Sequence, residues 1–589
     1  MTDLKKSWQE YIFKALKTAA DRENVEAGID SAENIIVSSP PKPEMGDFAF
    51  AMFPFAKALR TSPQNIAGMV VKELENMEDA SAAGTFSTAG PYVNVKINIM
   101  DSAAGIISKV LNDKDDYGRG SSLKGRKIML EFSCPNTNKP LHLGHLRNDS
   151  IGSAVARILK AAGAEVMKVN LINDRGIHIC KSMLAYRKFG NGATPESTGM
   201  KSDHFVGKYY VKFDSWSKED DGALAEAQKM LQDWESGDEE VTSLWKQMNK
   251  WTIDGIEETY KATGISFDKV YYESNTYSSG KQEVLNGLEK GVFYKEDDGS
   301  IWADLSEIKL DKKVLLRGDG TTLYMTQDLG TAIARQSDWP FDQLIYVVGS
   351  EQQYHFQVLF HILKKLGYIW AEDLKHLSYG MVNLPDGKMK SREGTVVDAD
   401  DLVKQLGEMA KEEIIAKERG DDVGDIDGTA HSIALGALNY YLLQVSPSKD
   451  MIFNPAESLS FNGNTGPYLQ YMGARISSMI RKFENQKEKF AGIEASSSVL
   501  TVEEEKELIK LLISYPEVVE QTANQYNPSA LTAFLYELAK TYSRFYHDNP
   551  VLNNEDKVIA VSRMELSKAV LQVFRNGFEL IGIPFLEKM

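Results

Sequence analysis

Hydrophobic residues recur along this chain with two different periods, and the places where the period changes mark the candidate domain boundaries. From Lys127 to Phe132 the consecutive apolar residues Ile128, Met129 and Leu130 predict a short buried strand, closed by the turn Ser133-Cys134-Pro135-Asn136. A helix is predicted next, because Ile151, Ala154, Val155, Ile158 and Leu159 fall at helical spacing and Gly163 suits a left-handed cap. Val166 to Ile172 then reads as a second strand. A β-α-β unit of this kind builds a doubly wound parallel sheet, in which ligands bind at the carboxyl ends of the strands. A second unit is predicted downstream, with strand Leu344-Ile345-Tyr346-Val347-Val348 feeding a helix whose apolar positions Leu359, Ile362, Leu363 and Leu366 precede Gly367.

Around these two units the pattern changes. The first 112 residues contain Gly90-Pro91-Tyr92-Val93-Asn94-Val95-Lys96-Ile97, which alternates like a strand after a turn and predicts a small α/β module. The polar stretch from Asn112 to Ser122 suits a linker. Acidic runs Glu219-Asp220-Asp221 and Asp238-Glu239-Glu240 predict a helical insertion over about 190–260, and beyond about 400 the pattern is helical throughout. The expected fold is α/β: a Rossmann-like doubly wound parallel-sheet domain over 125–400 with its insertion, preceded by the module over 1–112. A connecting helical segment over 401–430 and an all-α bundle over 431–589 complete it.

Composition narrows the function classes. With 589 residues, 42% of them hydrophobic, the chain can bury several cores, and about 150 residues per domain suggests roughly three or four domains. No stretch approaches the roughly 20 apolar residues of a membrane span, and the opening residues lack a secretory core, so a soluble, cytoplasmic protein is expected. Two cysteines, Cys134 and Cys180, are too few for a disulfide framework or a thiolate zinc site. A net charge of −17 argues only weakly against a nucleic-acid partner, because one face of a large enzyme can be basic while others carry the acidic excess.

Two clusters carry candidate chemistry. His142-Leu143-Gly144-His145 sits at the mouth of the first β-α unit, where free helix N–H groups and the positive end of the dipole favour phosphate. Composition alone would yield such an H-x-G-H pattern in about one chain in a hundred of this size, so its placement after a strand is what gives it weight. Gly387-Lys388-Met389-Lys390-Ser391-Arg392-Glu393-Gly394-Thr395 packs three cations between glycines, a basic loop suited to neutralising a triphosphate. Taken alone, that loop fits a solvated charged segment better than a functional one.

Together these clusters resemble the HIGH and KMSKS signatures of class I aminoacyl-tRNA synthetases, and the neighbouring residues resemble the arginyl branch. The longer matches run from Glu131 to Arg147, Asn173 to Gly176, Asp319 to Asp328 and Asn464 to Tyr471. The resemblance implies ATP-dependent activation of L-arginine and its transfer to tRNA(Arg), with ATP as substrate, Mg2+ accompanying it and no protein metal ligands. It implies a nucleotide site of His142, Gly144, His145, Lys388, Met389, Lys390, Ser391 and Arg392, with Lys139, His142, His145 and Lys388 catalytic. In the KMSKS frame Ser391 stands where most class I enzymes place a lysine, a common feature of the arginyl branch, and Lys139 is expected to supply that charge. The arginine site is expected to comprise Asp328, Tyr324 and Glu273 at the guanidinium, with Asn136, Gln352 and Glu131 near the amino and carboxylate ends. Carboxylates suit that role, because a planar guanidinium makes paired N–H to O contacts with them.

For tRNA, the segment from Arg475 to Phe490 carries Arg475, Arg481, Lys482, Lys487 and Lys489 against Glu484 and Glu488, a local excess of three positive charges. Tyr536, Tyr542, Phe545 and Tyr546 suit either base stacking or a helical core. The resemblance makes the C-terminal helices an anticodon-binding domain and residues 1–112 a contact for the tRNA elbow. A monomer without membrane attachment is expected. Another H-x-G-H nucleotidyltransferase and a non-catalytic RNA-binding relative are the alternatives. The absence of a cysteine zinc set weighs against a cysteinyl-type enzyme, and the intact His142, Gly144, His145, Lys388 and Asp328 weigh against a relative that has lost catalysis.

Overall fold

The computed structural model describes residues 2–38, 40–321, 323–383, 385, 397–416 and 424–589. Packing divides the chain into two units, one of 1–118, 475–518 and 534–576, the other of 119–474, 519–533 and 577–589.

In the first unit, β1 (Val37–Ser38), β2 (Phe48–Ala51), β3 (Gly84–Ala89) and β4 (Tyr92–Ile97) form an antiparallel sheet in the order β1-β2-β4-β3. The alternation over 90–97 is thus the turn and second arm of a β3-β4 hairpin. Helices Thr2–Arg22 and Pro63–Glu75 cover one face, burying Trp8, Ile12, Leu16, Val70 and Leu74 against Phe50, Val93 and Val95. The second helix starts where Ser62 accepts a hydrogen bond from the Asn65 N–H (3.2 Å) and Pro63 occupies the first helical position. The expected linker over 112–122 is not loose. Tyr117 within it is buried, stacks on Tyr515 (6.1 Å) and donates its hydroxyl to the Leu512 carbonyl (2.7 Å). Its polar composition concealed one aromatic anchor.

The second unit contains β5 (Lys127–Glu131), β6 (Glu165–Ile172) and β7 (Lys269–Tyr272). A small antiparallel sheet of β8 (Tyr294–Lys295), β9 (Ile301–Ala303) and β10 (Lys313–Leu316) follows, then β11 (Gln343–Gly349) and β12 (Leu374–Tyr379). Strands β12-β11-β5-β6-β7 form one parallel sheet in that order. The chain grows from β5 toward β7 on one side, then restarts with β11 on the other. The crevice between the carboxyl ends of β5 and β11 is therefore a topological switch point, where open α/β sheets bind ligands. Ile128, Met129, Leu130, Leu344, Ile345 and Val347 are buried, as expected for strands covered on both faces.

The helix Leu143–Ala161 follows β5 and ends as predicted at Gly163, which takes φ +99° while the Ala164 N–H bonds the Leu159 carbonyl (3.0 Å). The insertion is helical, with helices Pro195–Thr198, Ser202–Trp216, Ala223–Glu235 and Glu239–Thr263 around Phe205, Tyr209, Phe213, Trp216 and Met248. After residue 425 the long helices are Ile426–Leu443, Gly466–Glu484, Glu503–Gln525, Ser529–Asp548 and Lys557–Ile581. Among the described residues beyond 400, one short strand interrupts the helices, where Met451–Ile452 pairs in parallel with Val382–Asn383. Among the described residues no helix is long and apolar enough to cross a membrane.

Candidate active site

Where β5 ends, Ser133 and Cys134 take positive φ (74° and 50°), a conformation that costs a non-glycine residue about 1 kcal/mol or more. Their N–H groups are held by Asn148 Oδ1 (2.6 Å) and Asn170 Oδ1 (3.1 Å), and the Asn148 amide also donates to the Val347 carbonyl of β11 (2.8 Å). The turn is thus pinned at the switch point and leads the chain to His142.

His142 caps the helix Leu143–Ala161. Its Nδ1 accepts the Gly144 N–H (3.1 Å), and its own N–H donates to His145 Nδ1 (3.1 Å), with the two rings 3.9 Å apart. Each Nδ1 being an acceptor, each proton of the neutral ring must sit on Nε2. Burial, reinforced by the Lys139 charge, pushes His142 down to about 4. Burial, then His142 and Lys139, hold His145 well below the ordinary histidine value. At neutral pH the motif offers two N–H donors and no charge. Gly144 is required here because a Cβ would lie 2.9 Å from His142 Cε1. A cavity of about 380 Å³ opens against His142, Gly144, His145, Gly349, Tyr379 and Asn383.

The segment downstream of the basic loop pairs with this motif: the Leu143 N–H donates to the Val397 carbonyl and the Ala399 N–H to the Leu141 carbonyl, both 3.0 Å. Lys388, Met389, Lys390, Ser391 and Arg392 themselves lie outside the described residues. Lys139 borders a second cavity of about 190 Å³, with His142, His204, Lys208, Tyr210 and Asp398. Behind the motif, buried Arg147 donates Nη1 to the Gly380 and Met381 carbonyls (2.7 and 3.1 Å) and Nη2 to those of Pro447 and Lys449 (3.3 and 2.6 Å). It fixes the strand end that lines the cavity.

Carboxylates gather at the ends of β6 and β7. The helices Glu273–Glu289 and Tyr324–Asp338 cross so closely that a Cβ on Gly280 would lie 1.8 Å from the Thr326 carbonyl. This glycine contact brings Glu273 near Asp328. Burial, then the charges of Asp328 and Asp174, push the Glu273 carboxyl up to about 8, with Arg175 opposing. Asp174 accepts from the Ser274 N–H (2.9 Å) and hydroxyl (2.6 Å), and Asp328 from His355 Nε2 (2.5 Å). A carboxylate cluster that raises a buried member's pKa in this way favours a ligand cation.

Tyr324 lies in the first turn of Asp328's helix and is largely exposed. Gln352 is exposed on the turn after β11, and half-buried Asn136 bridges to Asn173 beyond β5. Glu131 is placed differently from the other five expected arginine contacts. It is buried and ion-paired with Arg335, whose guanidinium lies 5.0 Å from the Tyr271 ring and 5.8 Å from Tyr346. Its charge is already matched inside the protein.

In the first unit, Arg475 lies over the Tyr546 ring (4.3 Å), and both line a cavity of about 480 Å³ with Lys482, Gln486 and Asn553. Tyr542 and Phe545 are fully buried, so for these two the core reading holds.

With this geometry in view, the sequence profile for "tRNA synthetases class I (R), catalytic domain" matches residues 106–455. A relative from Treponema denticola, named "Arginine--tRNA ligase", is 58% identical over 593 residues covering all of both chains. The chain belongs to the arginyl-tRNA synthetase family. A second relative of that name, from Bacteroides thetaiotaomicron, is 46% identical and covers 95% of this chain and 97% of its own. The arginyl-tRNA synthetase structure from Thermus thermophilus superposes with a TM-score of 0.79 at 24% identity, covering 98% and 99% of the two chains, and so shares the fold. Profiles for "DALR anticodon binding domain" and "Arginyl tRNA synthetase N terminal domain" match residues 469–589 and 6–97.

Sequence reasoning missed the contacts that Asp174, Arg335, Arg147 and His355 make around the site. Asp174 lay inside a quoted motif without a role, and Arg147 ended one. Arg335 and His355 carried no local signal, because their partners lie in elements remote in sequence.

Proposed function

We propose that this arginyl-tRNA synthetase activates arginine at the β5–β11 crevice and transfers it to the 3'-terminal adenosine of tRNA(Arg). A carboxylate oxygen of arginine attacks the α-phosphorus of ATP, forming arginyl-adenylate as the bond to pyrophosphate breaks. A ribose hydroxyl then attacks the anhydride carbonyl and AMP leaves. No covalent enzyme intermediate is needed, so positioning and charge stabilisation carry both steps.

The Nε2–H groups of His142 and His145 donate to phosphate oxygens, and Gly144 admits the nucleotide to the backbone. Lys139 stands beside the α-phosphate in the place of the lysine that Ser391 replaces. Lys388, with Met389, Lys390, Ser391 and Arg392, faces the leaving pyrophosphate. The guanidinium is received by Glu273 and Asp328 with Tyr324 beside them, while Asn136 and Gln352 serve the amino and carboxylate ends. Glu131 acts through Arg335 as a support of that pocket. The observation that carries this reading is the pairing, in one parallel-sheet unit, of an H-x-G-H helix cap that lines a cavity at the switch point with the carboxylates Asp174, Glu273 and Asp328 gathered beyond β6 and β7.

Mg2+ would accompany ATP and offset phosphate charge, without a cage of protein ligands. A protein cage does not fit: among the described residues, the group Asp203, His204 and Asp400 already holds the Lys201 ammonium, 3.2 Å from Asp203 and 2.6 Å from Asp400. Arg475, Lys482 and Tyr546 take a phosphate and a splayed anticodon base, residues 1–112 meet the tRNA elbow, and bound tRNA is required before arginine is activated. The enzyme works as a cytoplasmic monomer. Single-turnover adenylate formation with tRNA present tests the site: Lys139→Ala should slow it at least about tenfold, and an unchanged rate would remove Lys139 from the mechanism.

A further inference from the structure

Asp328 is not a freely rotating carboxylate. Its Oδ2 lies 2.5 Å from His355 Nε2, and because an ionised carboxylate can only accept, the imidazole is the donor. His355 comes from the helix Gln353–Lys365 after β11, whereas Asp328 comes from the helix Tyr324–Asp338. The bond therefore ties two elements that meet at the pocket. The imidazole is itself supported. Its ring packs edge-on against Phe356 (5.8 Å, 88°), and Phe356 stacks on His376 (4.5 Å), whose Nε2 meets the Val348 carbonyl of β11 (2.9 Å). The His355 and Asp328 side chains are 23% and 31% exposed, so the contact sits at the rim of the site and not in its core.

A guanidinium is recognised through coplanar N–H pairs, whereas an ammonium is satisfied by any nearby oxygen. A carboxylate fixed in one plane discriminates between them better than one free to turn about its Cβ–Cγ bond. We propose that His355 is a positioning residue for amino-acid specificity. It fixes the plane of Asp328 so that the remaining lone pairs suit the guanidinium of arginine and suit lysine poorly. The inference rests on the reading, made above, that Asp328 receives the guanidinium.

The test uses the full-length enzyme with tRNA and compares His355→Ala, His355→Gln, Asp328→Ala and the double alanine variant. His355→Ala should raise KM for arginine about tenfold, the scale of one charge-assisted hydrogen bond. KM for ATP and the thermal midpoint should stay near wild type, and the arginine-over-lysine ratio of kcat/KM should fall by a similar factor. The Gln amide can replace the Nε2–H, so His355→Gln should recover most of both. In the Asp328→Ala background the second substitution should add nothing. An unchanged arginine KM in His355→Ala beside a raised one in Asp328→Ala would overturn the inference alone. An unchanged KM in Asp328→Ala would overturn the underlying reading as well. Parallel changes in arginine KM, ATP KM and thermal midpoint, or an effect that multiplies that of Asp328→Ala, would assign His355 a merely structural part.

Discussion

Glu273 makes arginine binding depend on pH in a direction the structure fixes. Its carboxyl is buried and faces Asp328, Asp174 and Glu131, with Arg175 opposing, and is raised to about 8 in the ligand-free enzyme. At pH 7 it is therefore protonated in roughly ten molecules to one, and a guanidinium that binds the carboxylate must first displace that proton. The cost is about 1.4 kcal/mol at pH 7 and twice that at pH 6. KM for arginine should accordingly fall about tenfold per unit from pH 6 to 7, then level off above pH 8. The two motif histidines add nothing to this slope, because burial holds both well below the ordinary histidine value and keeps them neutral in this range. Steady-state ATP–pyrophosphate exchange with tRNA present measures the profile. Calorimetric titration of arginine in two buffers of different ionisation heat should show release of about 0.9 proton at pH 7. Glu273→Gln should flatten the profile, with KM above wild type at pH 8. A wild-type KM that is flat between pH 6 and 8, or a slope that survives in Glu273→Gln, would refute the reasoning.

Three further outcomes are expected. Gly144→Ala places a Cβ 2.9 Å from His142 Cε1 and displaces the ring, so KM for ATP should rise at least about tenfold while arginine KM changes little, measured by exchange kinetics. Arg147→Ala leaves the carbonyls of Gly380, Met381, Pro447 and Lys449 without their donor, and denaturant unfolding should show a loss of about 3 kcal/mol or more together with weaker ATP binding. Arg475→Ala should raise KM for tRNA and lower its salt dependence without altering arginine KM, read from aminoacylation at two ionic strengths.

The parts of the fold legible in sequence were those with local causes. Ile128 to Leu130, the helix ending at Gly163 and the strand before the second helix all declared themselves through period and punctuation. The H-x-G-H turn did so through its place after a strand. Long-range contacts stayed hidden. Nothing near Glu131 signals Arg335, nothing near Asp328 signals His355, and the four carbonyls that hold Arg147 come from two segments far along the chain. The short strands β8, β9 and β10 were missed because two to four residues are too few to display a period. Tyr117 hid an anchor in a polar stretch, and Tyr542 and Phe545 carry the same aromatic signal as exposed Tyr324 while lying in the core. For the arginine site the composition offered many candidate carboxylates. The resemblance named Glu273 and Asp328, and the close helix crossing at Gly280 supplies the physical reason that they are neighbours.

The most direct test is aminoacylation of total tRNA by the purified enzyme with each of the twenty amino acids in labelled form. Charging by arginine alone, with the arginine KM raised in Asp328→Ala, is the predicted result; no charging, or charging by another amino acid, would contradict the account.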